Sequence, residues 1–259
     1  MNRNMLLGLL ALIVAGLAFG YYILQGGLSG GGSDAAAGAY GTDGADSEAF
    51  TFSWSGVVEQ YPEFADVIQP ESREQFLTPH ATDIGFGDPE APVTIIEFFS
   101  YACPHCKTFH EGPYQRTLAQ YVETGQVYFI KRDFLLNDRI LGFELRAGAG
   151  AQCLRDDGQK HAFANRVFEQ QNRLRSAADP IDALIPVFEA AGLEAGQAVA
   201  CMTDQKNISL VYGRSKRASE ERWVTGTPTI FINAERYLGN SSNFSELSLE
   251  IERAIQSAR

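Results

Sequence analysis

The sequence predicts an α/β fold, and three observations carry that prediction. Two apolar, β-rich runs, Val93 to Phe99 and Val127 to Phe134, are separated by a helical stretch, which reads as a parallel pair joined by a βαβ crossover. Between Leu135 and Trp223 the chain turns to Ala, Leu, Glu and Arg at helical spacing, without a convincing strand. Two short runs, Thr229 to Asn233 and Arg236 to Leu238, then read as an antiparallel hairpin turning at Asn233-Ala-Glu.

From the start of the chain, Arg3 lies in residues 1–4, and Met5 to Leu24 then hold no charge over a length that can cross a bilayer as a helix. No Lys or Arg follows until Arg73, so the positive-inside rule keeps the short N-terminus in the cytoplasm and exports the rest. The apolar run continues past Ala18-Phe-Gly20, so the reading is a retained single-pass anchor, with a signal peptide cleaved there as the alternative. Residues 25–48 are rich in Gly, Ala, Ser and Asp and lack the apolar content that would offset ordering entropy; they read as a flexible linker. Residues 49–78 form an N-terminal extension. Trp54, Val57, Val58, Tyr61, Phe64, Val67 and Ile68 recur there at helical spacing, predicting a short amphipathic helix packed on the main domain. Phe50 to Ile68 holds no basic residue for an anionic membrane surface.

After Gly85-Phe-Gly-Asp-Pro-Glu-Ala-Pro the chain enters the first central strand, Val93 to Phe99. Glu97 lies inside that apolar run, where an unpaired charge is costly, so its plainest reading is a solvent-facing carboxylate on an edge strand. The helix from Pro104 carries Phe109, Tyr114, Leu118, Tyr121 and Val122, with a kink at Pro113. Lys131, in the second strand, is either a surface charge or the partner of a buried acid. The helical region divides into 141–156, 159–174, 180–192, 196–203 and 207–222, broken at Gly158, Pro180 and Gly192. Asn243, with Glu246 three residues on, marks the start of a last helix reaching Ala254 or beyond.

The chemistry concentrates where the first strand ends, at Cys103-Pro104-His105-Cys106. Pro suits the first turn of a helix, where its missing N–H costs nothing. Cys103 then sits at the positive end of a helix dipole, which favours thiolate, and a protonated His105 adds to that field. The pattern reads as a redox dithiol, with Cys103 the exposed nucleophile and Cys106 the resolving partner. A zinc site using His105 or His110 would want a second C-x-x-C or a His pair set well apart from the first, and the chain has neither. An inert disulfide closing so tight a loop would constrain the unfolded chain little. The formal net charge of −11 argues against a nucleic-acid partner, because phosphate binding needs clustered Lys and Arg.

Glu97-Phe-Phe-Ser-Tyr-Ala-Cys103-Pro104-His105-Cys106 resembles the active-site segment of DsbA-type thiol:disulfide oxidoreductases, and Gly226-Thr227-Pro228-Thr229 resembles their cis-proline loop. The resemblance covers roughly 79 to 257. It implies a thioredoxin-like fold over 79–134 and 224–259, interrupted by a helical insertion at 135–223. It also implies that Glu97 moves protons to or from the buried Cys106, that Thr227 and Pro228 pair with an extended substrate, and that no cofactor or metal is needed. Cys153 and Cys201 lie in the insertion; core thiols are one reading, but in an oxidising compartment a structural disulfide joining two helices is the expectation.

The expected function is donation of disulfides to newly exported proteins in the periplasm, by a monomer on an inner-membrane anchor, recharged by a quinone-linked DsbB-type membrane protein. Thr227 departs from the best-known oxidase, which has Val before the cis-proline, and its hydroxyl is expected to weaken the oxidising power or favour proofreading. A disulfide isomerase or reductase is therefore the second reading, although residues 25–78 look too short and polar for the dimerisation domain of such isomerases. A holdase chaperone is the third, separable because it would survive replacement of both Cys103 and Cys106 by Ser.

Overall fold

A computed structural model describes residues 52–136 and 142–258. The expected anchor at 5–24 and linker at 25–48 lie outside the described residues, and among those described no helix is long and apolar enough to cross a membrane. Among the described residues five strands form one sheet in the order β1-β3-β2-β4-β5: β1 Ile84–Phe86, β2 Val93–Phe99, β3 Val127–Asp133, β4 Thr229–Ile232 and β5 Glu235–Arg236. Strands β2 and β3 are parallel, and Glu97 stands opposite Lys131 in their register. On its other side β2 pairs antiparallel with β4, so it is a central strand.

Helices flank the sheet: α1 Trp54–Gln60, α2 Ala65–Ile68, α3 Arg73–Phe76, α4 Pro104–Phe109, α5 Phe143–Ala151, α6 Asp157–Glu169, α7 Gln171–Arg175, α8 Pro180–Ala190, α9 Ala195–Thr203, α10 Gln205–Glu220 and α11 Phe244–Ser257. The predicted kink at Pro113 is a π-helical turn, His110–Tyr114, running on from α4. A proline inside a helix removes one ladder bond and crowds the preceding turn, and the wider π-turn relieves that crowding.

Several boundaries differ from the sequence reading. The lead-in to β2 contains β1, antiparallel to β3, too short and glycine-centred to show a strand pattern. The helix expected over 141–156 stops at Ala151, and the chain tightens through i→i−3 bonds from Gln152, Cys153 and Leu154. Gly150 lies so close to Phe188 that a Cβ there would meet the ring at 2.3 Å, so α5 can pack face-on against α8 only without a side chain. The next helix begins before 159 because the Asp156 carboxylate caps it, accepting from the Gln159 N–H at 2.8 Å. It breaks at Gln170 instead of running to 174. The hairpin turns on two residues, Asn233 and Ala234, both with positive φ, so β5 ends at Arg236 and Leu238 is left exposed.

The described part of the extension contains three short α-helices and a 3-10 turn, Pro62–Phe64, where one helix was expected. Phe52, Val57, Phe64, Val67 and Ile68 pack with Leu145, Ala149, Ile208, Val211 and Tyr212 of α5 and α10. Phe76 and Leu77 cover one face of the sheet, against Ile96, Phe98, Ile130 and Phe231. A buried ion network ties this segment down. Asp83 accepts from Arg132 Nε at 2.9 Å and Nη2 at 2.7 Å and pairs with Arg214 at 3.1 Å, while Arg132 also donates to the Phe76 and Thr78 carbonyls. Burial pushes the Asp83 carboxyl up, but the two guanidiniums outweigh it and hold the group below its ordinary range.

Candidate active site

Strand β2 delivers the chain through Ser100-Tyr101-Ala102 to Cys103, which is the N-cap of α4 with extended backbone, φ −81° and ψ 121°. Its sulfur takes the place of a capping oxygen and accepts from the Cys106 N–H at 3.4 Å. Pro104 occupies the first turn, and Pro104 and His105 are exposed. The Thr227–Pro228 bond is cis, and the Cys103 thiol donates to the Thr227 carbonyl at 3.3 Å. Cys106 is free and fully buried.

The expectation that Cys103 is an exposed sulfur does not hold. It is 3 % exposed, because the Thr227 carbonyl faces it across the cis-proline loop. The plain reading of Glu97 fails too. It is 0 % exposed because β2 is central, and Lys131, 2 % exposed, donates to Glu97 Oε2 at 2.5 Å. The Lys131 ammonium also lies 4.4 Å from the Phe99 ring centroid and 4.5 Å from that of Tyr114.

Environment separates the two sulfurs. Hydrogen bonding with Cys106 lowers Cys103 to about 5; burial opposes this, while Thr227 and the backbone N–H groups of Cys106 and His105 assist. Burial, the bond to Cys103 and the Glu97 charge together hold the Cys106 thiol far above its ordinary value. Glu97 is itself raised by burial, with Lys131 opposing. The Thr227 hydroxyl makes no hydrogen bond of ordinary geometry, yet it lies near both sulfurs and favours the charged form of each.

Sequence reasoning did not find Gln171. Its buried side-chain amide donates to the Tyr101 carbonyl at 2.8 Å and the Cys103 carbonyl at 3.0 Å, fixing the active-site turn to the helical insertion. Nothing in the local sequence marks it, since a Gln among exposed helical residues looks like any surface Gln. His110, weighed as a metal ligand, faces Asn165 of α6 at 2.7 Å.

Cys153 and Cys201 form a disulfide with a Cα separation of 6.2 Å. Cys153 lies in the turn after α5, so the bond joins a turn to α9 instead of two helices. Alkylation without reductant, followed by intact-mass measurement, should leave this pair unlabelled. Labelling of both would show two free thiols.

The thioredoxin family model matches residues 80–253. Disulfide bond formation protein D of Bacillus subtilis is 21% identical over 171 residues, covering 66% of this chain and 76% of that protein. Relatives from Rickettsia bellii and Rickettsia typhi are each 22% identical, and the chain spans only 66% and 62% of their lengths. Among solved structures, alpha-DsbA1 of Wolbachia pipientis aligns with a TM-score of 0.63 at 22% identity, over 72% of this chain and 98% of that one. BdbD from Bacillus subtilis, in its oxidised form, aligns with a TM-score of 0.59 at 19% identity, over 68% and 94%.

Proposed function

The chain belongs to the thioredoxin family, and on that premise we propose that it is a protein-disulfide oxidoreductase of the DsbA type, donating disulfides to exported proteins. The observation that carries this is the placing of Cys103 Sγ at the N-cap of α4, accepting from the Cys106 N–H at 3.4 Å and facing the Thr227 carbonyl at 3.3 Å across the cis-proline loop with Cys106 fully buried behind it, an arrangement that lowers Cys103 to about 5 and raises Cys106. In the oxidised protein a substrate thiolate attacks Cys103 Sγ, forming a mixed disulfide and expelling Cys106, which takes up a proton. A second substrate thiolate attacks the substrate sulfur of that bond and releases Cys103 as thiolate. Two electrons pass from the substrate to the enzyme. Because the Cys103 thiolate is stabilised, the reduced form is favoured and the disulfide is a strong oxidant. Thr227 and Pro228 present backbone to an extended substrate by strand-like pairing.

The charge-free run at 5–24 supports a single-pass anchor holding the catalytic unit in the periplasm. A quinone-linked DsbB-type membrane protein is the fitting oxidant, because each turnover leaves the dithiol reduced. The isomerase or reductase reading rests on Thr227 weakening the oxidising power or favouring proofreading. Here its hydroxyl favours both thiolates, which adds to that power.

The test is the reduction potential of the Cys103/Cys106 pair against glutathione. A value near about −120 mV marks a disulfide donor, and one near about −270 mV marks a reductant and overturns the proposal. Thr227→Val should raise the Cys103 pKa and make the potential more negative; one pKa unit corresponds to about 30 mV. A potential that rises instead would return support to the isomerase reading. Activity surviving Cys103→Ser with Cys106→Ser would leave only a holdase.

A further inference from the structure

The turn that carries Cys103 from β2 into α4 is held from two sides. Within the turn, the Cys103 N–H donates to the Ser100 carbonyl at 3.1 Å, and the Ala102 N–H donates to the Ser100 hydroxyl at 2.9 Å. From outside, the corner between α6 and α7 grips it. Phe163 and Phe168 of α6 lie 5.7 Å and 5.6 Å from the Tyr101 ring. Gln171, the first residue of α7, spends both hydrogens of its side-chain amide on the Tyr101 and Cys103 carbonyls, at 2.8 Å and 3.0 Å. It is 3 % exposed, so water does not compete for these bonds.

Two carbonyl dipoles thus turn their negative ends toward one nitrogen. Without a donor between them they repel each other, and a buried acceptor left unpaired is costly. The Cys103 carbonyl also accepts the first bond of α4, from the Lys107 N–H at 3.1 Å, so it moves with that helix. Relief has to come from the rotatable bond on its other side, the Cys103 ψ, which stands at 121°. Turning that bond swings Cβ and Sγ relative to α4. The sulfur then leaves both of its contacts, the Cys106 N–H at 3.4 Å and the Thr227 carbonyl at 3.3 Å.

We propose that Gln171 is a positioning residue for the exchange reaction: its amide, bridging the Tyr101 and Cys103 carbonyls, holds Cys103 in the backbone conformation that aims Sγ at the Cys106 N–H. This rests on the exchange reading above. Gln171 bonds to neither sulfur and acts through the Cys103 backbone. The helical insertion contributes neither redox sulfur, yet through this one side chain it sets how well the reacting sulfur is held as thiolate. The task asks for a neutral group with two hydrogens on one atom, at the end of a two-carbon stem. Glu offers at most one hydrogen, Asn is a carbon shorter, and Lys would bring a charge into a buried site.

Full-length Gln171→Met keeps the length of the side chain and removes both donors. The inflection of its Cys103 thiolate absorbance should move up by about one pH unit from the parent's value near 5. Its equilibrium with glutathione at pH 7 should shift about tenfold toward the enzyme disulfide, because the reduced form loses that stabilisation. In full-length Gln171→Glu the carboxyl faces two carbonyl oxygens and so keeps its proton, which restores one of the two bonds. That variant should shift the same equilibrium by only about threefold. A merely structural role would lower the urea stability of the reduced and oxidised forms alike and move neither the inflection nor the equilibrium; positioning takes more from the reduced form. Parent-like inflections and equilibria overturn the proposal, as do equal shifts in the two variants. Should Gln171→Met not fold, Gln171→Glu decides alone, a shift supporting the proposal and its absence overturning it. A parent whose Cys103 ionises in the ordinary thiol range and does not exchange with glutathione would defeat the exchange reading itself.

Discussion

Reduced protein should ionise at Cys103 with an inflection near pH 5, and the stability that this thiolate lends the reduced form should vanish as the pH falls through that value. The sign follows from linkage. The folded pKa of about 5 lies below the ordinary value of 9.0, so the unfolded chain binds more protons between them and stability rises with pH across that window. The contribution is complete above pH 9, about half present at pH 7 and absent below pH 5. At pH 7 it amounts to roughly 2 kcal/mol, after discounting for solvent at the exposed Pro104-His105 face. The oxidised protein has no Cys103 thiol to ionise, so the pH dependence belongs to the reduced form alone. Urea unfolding of both forms should therefore show the reduced form gaining about 2 kcal/mol on the oxidised one between pH 4.5 and pH 7. Thiolate absorbance should report the inflection directly. An inflection near the ordinary thiol range, with a pH-independent gap between the two forms, would falsify the account of Cys103 as an activated leaving group.

The parts of the fold that were legible in the sequence are those whose signals are local. An apolar run meeting C-P-H-C fixes a strand, a turn and a helix start within a dozen residues, and the Ala-rich stretch after Leu135 announces helices whatever they pack on. Strand β1 escaped because three residues around Gly85 carry no period. The partners that set the site's electrostatics were hidden for a different reason: they depend on register and tertiary packing. Lys131 meets Glu97 only because the parallel register places them opposite each other. Gln171 reaches the Cys103 carbonyl only because the helix breaks at Gln170 and directs that amide inward. Burial of Cys103 likewise depends on a loop more than a hundred residues later in the chain. The same holds for the Asp83 network, whose three members come from β3, α10 and the segment before β1.

Glu97→Gln should destabilise the protein by about 3–5 kcal/mol, because it leaves the Lys131 ammonium buried with only ring faces and the more distant Asp133 for company. Lys131→Met should cost less at low pH, and its cost should grow as the pH rises. A carboxylate whose cation is gone can escape the penalty by keeping its proton, and Glu97 is already raised by burial even with Lys131 beside it. In that variant the folded pKa lies further above the unfolded one. The folded state then binds more protons, so stability is retained below the unfolded value and lost as the pH climbs through the folded value. Urea titrations of Lys131→Met at pH 5 and pH 8 should show the larger loss at pH 8. Combining both substitutions removes both charges and should recover most of the stability lost by Glu97→Gln, as expected when a buried ion pair contributes little net folding energy. On the expectation that Glu97 takes the Cys106 proton, closure of the disulfide should nonetheless stay slow in the double variant. Equal losses at the two pH values, or a double variant no more stable than Glu97→Gln, would show that the cost lies in packing and not in the unpaired charge. Recovered stability with slow closure would mean that the pair is kept in this core for proton transfer at Cys106, since folding does better without it.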